Sequence, residues 1–79
     1  MKVLFFAQCR EATGRDNCFL EVERPVTDSE FWAAMVEIFP GLATQQKTAR
    51  LARKETYLEN SDRLHPGDEI AVIPPVSGG

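Results

Sequence analysis

The apolar run Ile70-Ala71-Val72-Ile73 is cut off by two consecutive prolines, and this abrupt stop constrains the fold more than any other stretch. Proline has no N–H to donate and holds an extended course, so a buried strand must end at Pro74 and the chain must then leave the sheet. Beyond Pro75 the chain closes with Val76-Ser77-Gly78-Gly79. Glycine adds no side chain, so the tip reads as a thin segment carrying the main-chain carboxylate of Gly79, able to enter a channel too narrow for a larger residue. Chain ends of small residues are also common as inert termini. Here no polar linker separates strand from glycines, which keeps the tip close to the folded body. The chain therefore divides into a body, residues 1–73, and an extended C-terminal tail, residues 74–79.

A chain of 79 residues has material for one modest core and no second domain. Its 43% hydrophobic content is that of a globular protein, and mixed charge with a net of −3 argues against a nucleic-acid partner. The apolar start, Val3-Leu4-Phe5-Phe6-Ala7, is too short for a signal peptide and is closed by Gln8, Arg10 and Glu11. No stretch approaches the roughly 20 apolar residues of a membrane span, so a soluble, cytoplasmic protein is expected. Cys9 and Cys18 match neither a redox pair nor a metal pattern and read as two reduced thiols, although a disulfide across a hairpin is geometrically open. His65 has no Cys or His neighbour with which to share a metal and reads as a turn residue, so no metal site is expected.

Along the chain, residues 2–8 predict a strand apolar on both faces, with Val3, Phe5 and Ala7 pointing one way and Leu4 and Phe6 the other. Residues 10–17, with Thr13-Gly14-Arg15-Asp16-Asn17, read as a hairpin loop, and residues 18–23 as a second strand ended by Pro25. Thr27-Asp28-Ser29-Glu30 has the form of a capping box. The helix it opens carries Phe31, Met35, Ile38, Phe39 and Leu42 at three- and four-residue spacing, widened by Trp32 and Val36, and stops at Pro40-Gly41. Residues 43–48 read as a loop. Arg50, Arg53 and Lys54 form a small basic patch, read as a solvated face. Residues 49–52 suggest a short edge strand, Thr56-Tyr57-Leu58 a short apolar piece, and Pro66-Gly67 the middle of a type II turn before the last strand.

Strand, strand, helix, short strands, strand is an α+β order, that of a β-grasp with a mixed sheet and one main helix on one face. The first and last strands are the most apolar and are expected side by side and parallel at the centre. If Val3, Phe5, Ile70 and Val72 face the helix, Leu4, Phe6 and Ile73 fall on the uncovered side with Tyr57. An apolar patch of that kind marks a binding surface unless loops fold over it.

The opening residues 1–8 and the closing residues 67–79, Gly67-Asp68-Glu69-Ile70-Ala71-Val72-Ile73-Pro74-Pro75-Val76-Ser77-Gly78-Gly79, resemble the MoaD-like sulfur carriers, the small subunits of molybdopterin synthase, which are ubiquitin-like. The resemblance spans the whole chain and is most specific at the Pro-Pro-Val-Ser lead. It departs from the family before the fourth strand, where Arg53-Lys54 stands in place of an apolar residue and Asn. The resemblance implies that an ATP-using, adenylating enzyme joins Gly79 to AMP. Sulfur from a sulfurtransferase or cysteine desulfurase, delivered as a persulfide, would then leave a thiocarboxylate on Gly79. No permanently bound cofactor is implied, and the nucleotide is met only through the activating enzyme. The tail would insert into the large subunit of a heterotetrameric synthase and give sulfur to cyclic pyranopterin monophosphate, completing the dithiolene in two transfers. Pro74, Pro75, Val76 and Ser77 would hold the tail extended, Gly78 would pass the narrow entry, and Phe6, Tyr57 and Ile73 would dock the large subunit. The chain itself reads as a non-catalytic, sulfur-donating subunit. Alternatives with the same activated terminus are a sulfur carrier for thiamine or thiolated nucleosides and a ubiquitin-like protein modifier.

Overall fold

In the computed structural model, residues 1–75 are described. A five-stranded sheet is built from β1 (Lys2–Phe5), β2 (Asn17–Phe19), β3 (Arg50–Arg53), β4 (Thr56–Tyr57) and β5 (Glu69–Ile73), in the order β2-β1-β5-β3-β4. The two most apolar strands, β1 and β5, lie parallel at the centre, with Val3 opposite Ile70 and Phe5 opposite Val72. The neighbouring pairs, β1 with β2 and β5 with β3, are antiparallel. One main helix, α2 (Asp28–Ile38), packs on one face. This is the expected α+β arrangement, and alternation placed the core correctly: Val3, Phe5, Ile70 and Val72 are all buried on the helix side, against Phe31, Met35 and Leu42.

Helix α2 begins as its capping box predicts. The Glu30 N–H donates to the Thr27 hydroxyl at 3.1 Å, and the Thr27 N–H donates back to the Glu30 carboxylate at 2.9 Å. Of the expected stripe, Phe31, Met35 and Leu42 are buried, Phe39 is half-buried against the edge of the Phe5 ring, and Ile38 is 52% exposed. The buried Trp32 explains Ile38. At about 100° per residue, Trp32 and Val36 rotate the centre of the apolar stripe away from Ile38, which falls on its rim.

Several expectations are corrected. Residues 10–17 are not a hairpin loop: β1 stops at Phe5, and a second helix, α1 (Ala7–Thr13), links it to β2. Ala7 therefore leaves the strand alternation. Cys9 lies on this helix, so the two cysteines do not face each other across a hairpin, and both are free. The helix ends on Gly14, in left-handed conformation at φ 72, with its N–H donating to the Arg10 carbonyl. A 3-10 turn, Pro40–Thr44, comes directly after α2 and packs Gly41 against α1. Strand β2 is shorter than expected. Strand β3 is not an edge, because the chain folds back immediately and β4 covers it. The turn at Pro66-Gly67 is closed by the Asp68 N–H donating to the His65 carbonyl at 2.9 Å, but Gly67 lacks the positive φ of a type II turn.

Candidate functional site

The face of the sheet opposite α2 carries no helix. Alternation from the buried residues dictates what it presents: Leu4 between Val3 and Phe5, and Ala71 and Ile73 between and after Ile70 and Val72. Register then aligns Leu4, Ala71, Ala52 and Tyr57 in one row across four strands. Leu4, Ala71 and Ala52 floor a groove of about 310 Å3, walled by Phe6 and Ile73 at one end and by the charged Lys54, Glu55 and Glu69 at the other, with Tyr57 beside it in the same row. Phe6 is 45% exposed and Tyr57 47%, so the expected apolar patch is open rather than roofed by loops.

The groove has a direction. Phe6 comes after Phe5, which pairs Val72, so Phe6 and Ile73 lie at the same end, where the chain runs on into Pro74. Pro74 is buried and Pro75 exposed, so the backbone emerges from the body between the two prolines. The expected tail residues Val76, Ser77, Gly78 and Gly79 lie outside the described residues. At the same end Arg50, opposite Ile73, holds its guanidinium 4.1 Å from the centre of the Tyr57 ring. Of the three residues expected to dock a partner, Phe6 and Ile73 share the groove wall, and Tyr57 is joined to them through Ala52 and Arg50. The Arg50 stack was missed because it depends on β3 and β4 register, which no local pattern specifies.

At the other end of the groove lies the β3–β4 turn, Lys54 and Glu55. The basic patch read from the sequence is divided among three roles here. Arg50 stacks, Lys54 sits at the turn, and Arg53 points to the opposite face and is tied down. The Arg53 Nη1 donates to Asp68 Oδ2 at 2.8 Å and to the Arg63 carbonyl at 2.9 Å, while the His65 N–H donates to the same Asp68 oxygen at 2.8 Å. Burial pushes the Asp68 carboxyl up, but the His65 N–H and the Arg53 guanidinium outweigh it and hold it below the ordinary carboxylate range. This clasp fixes the start of β5, at the end of the strand away from the tail, to the hairpin that edges the groove.

Neither cysteine is placed for sulfur chemistry. Cys9 is 0% and Cys18 7% exposed, and burial pushes both thiols up, although the Arg15 charge opposes it at Cys18. Buried thiols of this kind are unreactive. Among the described residues no group of His, Cys, Asp and Glu could hold a metal ion, and no helix is long and apolar enough to cross a membrane.

Comparison with known proteins agrees with this geometry. The family model described as ThiS family matches residues 3–79. The Homo sapiens molybdopterin synthase sulfur carrier subunit is 38% identical over 82 aligned residues, covering 100% of this chain and 93% of its own. Among solved structures, a putative molybdopterin converting factor, subunit 1, from Pyrococcus furiosus superposes with a TM-score of 0.80 at 20% identity, covering 95% of each chain. A protein-protein complex of subunits 1 and 2 of molybdopterin-converting factor from Helicobacter pylori contains a chain that superposes with a TM-score of 0.66 at 23% identity, covering 99% of this chain and 96% of that one. These two likenesses establish the β-grasp fold. The match over nearly every residue, with the full-length likeness to a sulfur carrier subunit, shows that this chain belongs to the ThiS family.

Proposed function

We propose that this chain is the sulfur-carrying small subunit of a molybdopterin synthase and that its working group is the carboxylate of Gly79. A carboxylate is a poor electrophile, so an activating enzyme first joins it to AMP as leaving group, consuming ATP. A persulfide then displaces AMP, and cleavage of the sulfur–sulfur bond by a thiol leaves a thiocarboxylate on Gly79. In the large subunit that sulfur passes to cyclic pyranopterin monophosphate, and two such transfers complete the dithiolene. In this reading the general acid and base groups are those of the large subunit.

The observation that carries this reading is the open groove that ends at Ile73, where the backbone emerges. A protein that takes in the tail meets this groove beside Ile73, so a single surface can serve both docking and delivery. Both thiols are buried, which supports a carrier group other than a cysteine. The likeness to a molybdopterin synthase sulfur carrier subunit supports a sulfur-carrying role, and the Helicobacter pylori complex of subunits 1 and 2 supports a large-subunit partner.

Intact mass spectrometry of the protein purified from its own cells tests the reading. The expected species has one oxygen replaced by sulfur at the C-terminus, and it disappears when Gly79 is deleted. Recovery only of unmodified chain, or of chain joined through Gly79 to lysines of other proteins, overturns it in favour of an inert terminus or a protein modifier.

A further inference from the structure

The two residues of the β3–β4 turn both adopt the left-handed region, Lys54 at φ 52 and Glu55 at φ 64. The reason lies in the hairpin: Arg53 pairs with Thr56, leaving a two-residue loop, and the right-handed twist of the flanking strands then selects a turn with positive φ at both positions. Asn-Gly meets that demand with little strain, whereas a residue with a long side chain meets it only at a cost. This chain places two charged residues there. Neither makes an ion pair among the described residues, and both side chains are exposed.

The strain has a location. Ala7 at φ 47 is the third non-glycine residue with positive φ among the described residues, and it directly succeeds Phe6. Phe6, Lys54 and Glu55 all line the groove on the open face. Two of the three positive-φ residues thus line the groove itself and the third, Ala7, only adjoins it through Phe6; left-handed backbone at residues with long side chains clusters at surfaces kept for contact.

We infer that the Lys54-Glu55 turn is a specificity-determining contact for the large subunit, which would set an acidic side chain against Lys54 and a basic one against Glu55. This rests on the proposed function, since the occupant is identified by its need to take the tail. The groove is continuous from Ile73 at the base of the tail to Lys54 and Glu55 at its far end. A large subunit that takes in the tail and lies along this groove reaches the turn. Opposite charges at adjacent positions then fix its register along the groove, because a displaced partner meets like charge.

The test separates fold from contact. The variant Lys54→Asn/Glu55→Gly supplies the residues the turn prefers, so the isolated domain should melt a few degrees higher. Its affinity for the cognate large subunit, measured by calorimetry, should nevertheless fall about tenfold. The charge exchange Lys54→Glu/Glu55→Lys keeps both long side chains in the turn and should weaken large-subunit binding at least as much, by a larger factor than any change in adenylation by the activating enzyme. Wild-type affinity in both variants overturns the inference while leaving the proposed function standing. So does a loss seen only with the activating enzyme, which would make that enzyme the occupant that reads the turn. Failure of the wild-type chain to bind the large subunit removes the proposed function and this inference together.

Discussion

Phe6 and Ile73 owe their positions to a one-residue alternation, and the same alternation sends Ile70 inward. Their truncations should therefore separate cleanly. Phe6→Ala and Ile73→Ala should weaken large-subunit binding about tenfold or more while the isolated domain keeps its stability to within about 1 kcal/mol. Ile70→Ala should instead cost about 2–5 kcal/mol, read by urea denaturation, because it empties a site that is 0% exposed. A large loss of domain stability on truncating Phe6 would reassign it to the core. At this scale the sequence was informative wherever side-chain direction follows from counting along one strand. It was silent on Arg50, Arg53 and Lys54, three basic residues in a five-residue span whose separate fates are set by partners on other strands and turns.

The elements differ in how well their local signals survived packing. The capping box of α2 was legible because both of its hydrogen bonds form within four residues. Helix α1 was not, because seven residues show too little periodicity and its only buried side chain is Cys9. Gly14 reads as a loop residue from sequence, whereas it is the helix's C-terminal stop. Gly41 shows what α1 is held against: a Cβ built there would lie 2.9 Å from the Ala12 carbonyl oxygen, a backbone atom with no room to move alone. Gly41→Ala should therefore destabilise the domain by about 1–3 kcal/mol, with exchange protection lost first in α1, as amide hydrogen exchange would report. Equal stability for this variant would mean that α1 and the 3-10 turn are free to separate.

Across the whole molecule, acid stability depends on carboxylates held by fixed donors. Asp68, held down by the His65 N–H and Arg53 against the opposing effect of burial, and Glu30, held down by the Thr27 N–H, both have folded-state pKa values below their ordinary ones. A depressed carboxylate contributes stability that is present above the unfolded pKa, about 4, and is lost as pH falls through the folded value. Melting temperature should accordingly be level near neutrality and decline below about pH 4. Arg53→Ala should lower it at pH 7, by about 1–3 kcal/mol in stability, since it leaves a partly buried carboxylate with one donor fewer. The same variant should flatten the acid decline, and an unchanged pH profile would show that the clasp does not form in solution. The sheet order was legible in outline from the two apolar terminal strands, while the inner position of β3 was not, because a two-residue β4 is too short to register as a strand.

Placing the last strand at the middle of the sheet has a mechanical consequence. Tension applied at the carboxyl end would run lengthwise along β5 and be shared by its hydrogen-bond ladders to β1 on one side and β3 on the other. Such ladders must be sheared together rather than unzipped one bond at a time. An enzyme that grips the end of this chain and withdraws it can thus haul the whole body along without unravelling it.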